Sequence, residues 1–117
     1  MIEMVMAMKH LSIIEKQALS EFSSQVKQAL GNGLVEIRLF GSKSTGKYRD
    51  DSDIDVLVIV KKRNEQVLDI ISEILLDVEL RYNSCISPVV ISSDEFLDNQ
   101  KHQTLFYREV ARDGVTV

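Results

Sequence analysis

The chain has 117 residues, enough for one small domain with one core and too few for a second catalytic or substrate domain. Its net charge of −4 comes from acids and bases interspersed along the sequence, which argues against a broad basic surface for long nucleic acid and favours a nucleotide over a duplex. A single cysteine, Cys85, excludes an internal disulfide and suits a reducing cytoplasm.

Met1 to Met8 is apolar, but Glu3 interrupts it, no basic residue precedes it and no small-residue cleavage site follows before Lys9. Residues 1–9 are therefore expected to be frayed or locally packed rather than an export signal, and no other run is long enough to cross a bilayer. Ser12 and Glu15 have capping-box spacing, and Ile14, Ala18, Leu19, Phe22, Val26, Ala29 and Leu30 recur at helical intervals until Gly31-Asn32-Gly33 stops the pattern. Val35, Ile37 and Leu39 alternate with Glu36 and Arg38, which predicts a strand with one buried and one wet face, leading straight into Gly41.

Residues 54–60 are apolar apart from Asp55 and predict a central strand buried on both faces, ended by Lys61-Lys62-Arg63. Asn64 can cap a second long helix whose stripe is Val67, Ile70, Ile71, Ile74, Leu75 and Val78. Cys85 to Ile91 forms a third apolar run, in which Pro88 lacks a ladder donor and favours a sheet edge; Cys85 is expected to be a buried structural thiol. Ser92 and Glu95 repeat the capping-box pattern before a short helix, and a last helical segment around Leu105, Phe106 and Val110 ends at Gly114.

The most informative stretch lies between the first two strands. Gly41-Ser42 follows the first strand, and ten residues after Ser42 come Asp53 and Asp55. A Gly-Ser turn offers backbone N–H groups and a hydroxyl to phosphate oxygens. Residues two apart in an extended segment share a face, so Asp53 and Asp55 aim both carboxylates one way while Ile54 turns inward. Two carboxylates beside phosphates suit a hard divalent ion shared with a nucleotide. An acid inside an otherwise apolar strand separates Asp55 from the solvated Asp50 and Asp51, since an unpaired charge there is costly without a cation. Gly41 to Lys47 also spells most of a Walker A loop, but Tyr48 stands where that loop needs a Ser or Thr for magnesium.

The pattern Gly-Ser, ten residues, Asp-x-Asp resembles the signature of the DNA polymerase beta-like nucleotidyltransferase superfamily, in its minimal nucleotidyltransferase branch. Gly41, Ser42, Asp53 and Asp55 carry the match, with Gly46 and Ser52 at two further familiar positions. The stretches Ile86 to Ile91 and Phe106 to Val110 resemble a bacterial and archaeal subgroup, which extends the likeness from about residue 10 to the C-terminus. The resemblance implies a single α/β (α+β) domain over 1–117 with the nucleotidyltransferase fold. Its small mixed sheet would have three strands in the order 1-2-3, the first two antiparallel and the last two joined by a right-handed parallel crossover, with helices packed on it. It also implies that Asp53 and Asp55 bind Mg2+ or Mn2+ and are catalytic. Gly41, Ser42, Lys43, Gly46 and Ser52 would contact the nucleotide phosphates.

Active members carry a third carboxylate on the strand beside the Asp-x-Asp strand. Here Asn83, Ser84, Cys85, Ile86 and Ser87 occupy the matching stretch without an acid, and Asp77 and Glu79 lie a few residues earlier. Three functions are compatible with this. One is a cytoplasmic nucleotidyltransferase moving a nucleotidyl group, most simply AMP from ATP, to an acceptor hydroxyl. Another is an antitoxin-type minimal nucleotidyltransferase that binds or nucleotidylates a separate small helical partner protein. The last is a nucleotide-binding module without transfer activity. A membrane is not an expected partner; a homo-oligomer is compatible with the sequence.

Overall fold

The computed structural model of the chain describes residues 10–41 and 53–117. In chain order the elements are α1 (Ile13–Leu30), a 3-10 turn (Gly31–Gly33), β1 (Leu34–Phe40), β2 (Ile54–Val60), α2 (Glu65–Tyr82), β3 (Ile86–Ser92), α3 (Ser93–Lys101), α4 (Leu105–Asp113) and β4 (Val115–Thr116). The strands form one sheet in the order β3-β2-β1-β4. β1 runs antiparallel to β2 and β4, and β2 runs parallel to β3. The expected mixed order 1-2-3 is present, with β3 and its Pro88 at an edge.

A fourth strand is a correction to the three-stranded expectation. Val115 and Thr116 pair with Leu39 and Arg38, and the Val117 N–H donates to the Ile37 carbonyl at 2.9 Å. Two residues carry no legible period, so this strand exists only because β1 offers it a free edge.

Local chemistry starts and stops the helices. Ser12 with Glu15, and Ser92 with Glu95, each make both hydrogen bonds of a capping box, opening α1 and α3. Asn64 caps α2 by accepting from the Val67 N–H, and Thr104 caps α4 by accepting from the Tyr107 N–H. Asn83 ends α2 in the left-handed conformation at φ 50°, where asparagine is among the better-tolerated residues.

The sheet separates two apolar layers. On one face, α1 and α2 bury Leu19, Phe22, Val26, Ile71, Ile74 and Val78 against Ile37, Leu39 and the even positions of β2 from Ile54 to Val60. On the other, α4 packs Val110 against Phe40, Leu57 and Ile59, with Ile91, Phe96 and Phe106 closing around them. β2 is thus buried on both sides, as its composition predicts.

The β1 expectation is half right. Its Glu36 and Arg38 face is not wet: the pair hydrogen-bond to each other, Thr116 donates to Glu36 at 2.9 Å, and the Arg38 guanidinium lies 5.4 Å from the Phe96 ring centroid. A bulge between Leu34 and Glu36 turns Val35 out to 51% exposure and gives Leu34 the core contact assigned to Val35. Cys85 is also corrected. It precedes β3 and is exposed, because the strand that would have buried it begins one residue later. No helix among the described residues is long and apolar enough to cross a membrane.

Leu57 is fully buried in the α4-side layer, whereas Leu80 on α2 is 76% exposed. Leu57→Ala should therefore cost roughly 2–5 kcal/mol of unfolding free energy, and Leu80→Ala no more than about 0.5 kcal/mol, in urea denaturation at matched m-value.

Candidate active site

The end of β1 and the start of β2 build the site. Antiparallel pairing sets Phe40 directly opposite Asp55, so the turn after β1 and the acid within β2 meet at one end of the sheet. Asp53 immediately precedes β2 and is exposed, while Asp55 is half-buried. The intervening Ile54 is 1% exposed and packs in the α1–α2 layer. Alternation therefore turns the Asp55 carboxylate to the α3–α4 side, and Asp53, two residues earlier, is close enough for its charge to act on Asp55.

Asp55 shares that side with Leu57 and Ile59, which are sealed by Val110. Its neighbour across β1 is Phe40, 8% exposed and edge-on to Phe106 with ring centroids 5.8 Å apart. This apolar flank explains the acid's electrostatics. Burial pushes the Asp55 carboxyl above the usual aspartate range, and the Asp53 charge pushes it further. A pair of carboxylates, one of them short of solvent and repelled by the other, is a donor set that fits a hard divalent cation.

Gly41 follows β1 with φ 75°, a conformation L-residues rarely adopt. A side chain there would also run into the Asp55 carboxyl group, whose Cγ would lie 3.1 Å from an added Cβ. The structure thus brings together three of the sequence-predicted residues, Gly41, Asp53 and Asp55. Ser42, Lys43, Gly46 and Ser52, together with the Lys47 and Tyr48 positions of the Walker-like reading, lie outside the described residues.

The third-acid question resolves into particular contacts. Asp55 is in register with Ser87 of the parallel neighbour β3, so a serine stands beside it on the same face. Asp77 belongs to the helical layer on the opposite face, where it accepts from Gln25 at 3.1 Å and Arg81 at 2.9 Å. Hydrogen bonding from Gln25 and from Arg81 holds its carboxyl below the usual range. Glu79 accepts from the Ile86 N–H at 3.3 Å and steadies the start of β3. Among the described residues, no third His, Cys, Asp or Glu forms a metal-sized cluster with Asp53 and Asp55. Phe40 is the site residue that sequence reasoning passed over; its signal was its place immediately before Gly41, opposite the acid once the strands pair.

Comparison with known proteins identifies the family of this domain. The profile of the nucleotidyltransferase domain matches residues 19–111. The chain is 32% identical over 100 residues, 86% of its length and 94% of the relative's, to a Methanocaldococcus jannaschii protein provisionally named a protein adenylyltransferase. It is 31% identical over 112 residues, 92% of its length, to the whole of a second protein of that organism with the same provisional name. A crystal structure from Sulfolobus solfataricus, provisionally titled a nucleotidyltransferase, superposes with a TM-score of 0.58 at 21% identity, covering 97% of this chain and 84% of the other, and shares the fold. The chain belongs to the nucleotidyltransferase domain family, and its antiparallel strand ends carrying Gly41 and Asp55 form part of a nucleotidyltransferase fold.

Proposed function

We propose that the chain is a magnesium-dependent adenylyltransferase that moves AMP from ATP to a hydroxyl on a separate protein. The observation that carries this reading is the placement of Asp53 and Asp55 at the entry to β2, beside the Gly41 turn, with Asp55 partly desolvated and repelled by its neighbour. The provisional names of the Methanocaldococcus jannaschii relatives support a protein as acceptor.

In the reaction, the acceptor oxygen forms a bond to the α-phosphorus and the bond from that phosphorus to the α,β-bridging oxygen breaks. Pyrophosphate leaves with the electron pair, and the hydroxyl proton is lost to a base or to water. Asp53 and Asp55 would hold Mg2+ or Mn2+, which when bound supplies neutralisation of the triphosphate charge. Gly41 and Ser42, with Lys43, Gly46 and Ser52, would contact the phosphates. Phe40 keeps water from one flank of Asp55, and most of the catalysis would be positioning.

A second reading, partner or nucleotide binding without transfer, is favoured by one observation: Ser87 rather than an acid lies beside Asp55. A separately encoded small helical protein is the partner that either reading would take. Incubation with α-labelled ATP, magnesium and proteins co-purified from the source cell separates the two. Transfer predicts a partner gaining the mass of AMP, lost in Asp55→Asn; a partner that binds without mass gain supports the second reading.

Calorimetry should show ATP and Mg2+ binding more tightly together than separately, because phosphate oxygens complete a shell that two carboxylates leave unfinished. Asp53→Asn with Asp55→Asn should abolish that coupling. Asp77→Asn and Glu79→Gln should leave it within about twofold, since both side chains are engaged elsewhere. Equal coupling in the wild type and the Asp53/Asp55 double variant would exclude the site.

The raised Asp55 pKa gives a stability signature with a definite sign. The folded state holds this proton more tightly than the unfolded state, so stability falls as pH rises through the folded-state pKa. In metal-free buffer, Asp55→Asn should therefore melt at higher temperature than the wild type near pH 7. The gap should close as the pH drops below the usual aspartate range, and a gap that widens on acidification would contradict the burial argument.

A further inference from the structure

Gly41 has two separable properties. Its positive φ requires little more than a turn after β1, and many turns of that kind accept asparagine or aspartate. The second property is specific to this site. Chain neighbours aside, the three heavy atoms nearest to the place where an L side chain would start all belong to Asp55: its Oδ2, its Cγ at 3.1 Å and its Cβ at 3.2 Å. The Asp55 carboxylate occupies the volume that any other residue at position 41 would fill.

Register explains why this contact forms. Phe40 is the last β1 residue opposite Asp55, and the chain turns at Gly41 directly after it, so the glycine backbone lies against the Asp55 side chain. Phe40 walls the acid on the apolar side, and the bare Gly41 leaves the room its carboxyl group requires.

We infer that Gly41 is a positioning residue for the metal-binding acid: its missing side chain seats the Asp55 carboxylate, in addition to any approach of its backbone to phosphate. This rests on the reading of Asp53 and Asp55 as metal ligands, and it predicts a defect that a phosphate-contact role does not. A glycine that only contacts phosphate affects nucleotide binding and leaves metal binding to the nucleotide-free protein unchanged. A glycine that only relieves backbone strain affects stability, by the same amount whatever stands at position 55. A seat for Asp55 couples position 41 to position 55 and to the metal.

Two measurements on the full chain separate these cases. In the first, Mn2+ binding to nucleotide-free protein is followed by the loss of the free-ion electron paramagnetic resonance signal. Gly41→Ala should weaken it by about tenfold or more, the range seen when a residue supporting a metal ligand is removed. Unchanged Mn2+ affinity in folded Gly41→Ala would overturn the seat. Wild-type protein that binds no Mn2+ either with or without ATP would instead overturn the ligand assignment of Asp53 and Asp55, leaving the second measurement to judge the seat alone.

The second measurement is a stability cycle by thermal unfolding. Gly41→Ala should lower the melting temperature more in the wild type than in Asp55→Ala, which removes the Oδ2 and Cγ that the new methyl group would meet. If Gly41→Ala folds only in the Asp55→Ala background, the same coupling is present in stronger form. Equal losses in both backgrounds, or failure to fold in both, would reduce Gly41 to a turn residue and overturn the inference.

Discussion

The antiparallel pairing of the end of β1 with the start of β2 is the constraint on which the site depends. With Phe40 opposite Asp55, a turn and an acid separated by thirteen intervening residues become neighbours at one end of the sheet. A one-residue slip would send Asp55 to the α1–α2 face, into the layer of Leu19, Phe22 and Val78, where its charge would be buried among apolar side chains. Register is protected against that slip because both faces of β2 are packed, so neither can exchange its apolar set for a charge.

Two unequal layers hold that register in place. The α1–α2 layer is the larger, and its helices are also tied by polar contacts, with Arg81 of α2 bonded to Glu21 of α1 at 2.7 Å and Gln25 bonded to Asp77. These exposed pairs add little stability. Their consequence for the site is that Asp77 is committed away from it. The smaller α3–α4 layer covers Leu57 and Ile59, and Asp55 lies one step further along the same face, half-buried and flanked across β1 by Phe40.

The electrostatics follow from that position. Asp55 is partly desolvated and next to another negative charge, an arrangement that costs stability in the absence of a cation. Local violations of this kind concentrate where a fold serves chemistry, because the compensating charge arrives with the ligand. Glu36 shows the contrast within the same sheet. It is also removed from solvent, yet hydrogen bonds from Arg38 and Thr116 outweigh its burial and hold its carboxyl below the usual range. Glu36 has its partners in the sheet; among the described residues, no basic side chain does the same for Asp55.

Much of this was legible from residues alone, for a local reason. Capping boxes, the 3.6-residue stripes of α1 and α2, the doubly apolar β2 and the Asp-x-Asp spacing are all short-range patterns, and each is set by side chains within a few positions of one another. The sequence by itself therefore determined the helices, the three main strands and the pairing of Asp53 with Asp55. Only tertiary structure decided what depends on contacts between distant segments. β4 required the edge of β1; the cover over Glu36 and Arg38 required α3 and β4; the exclusion of Asp77 required its bonds to Gln25 and Arg81. The contact of Gly41 with the Asp55 carboxyl is of the same kind: a glycine before a serine reads as a turn in one dimension, and becomes a seat for an acid only when the strand carrying that acid lies beside it.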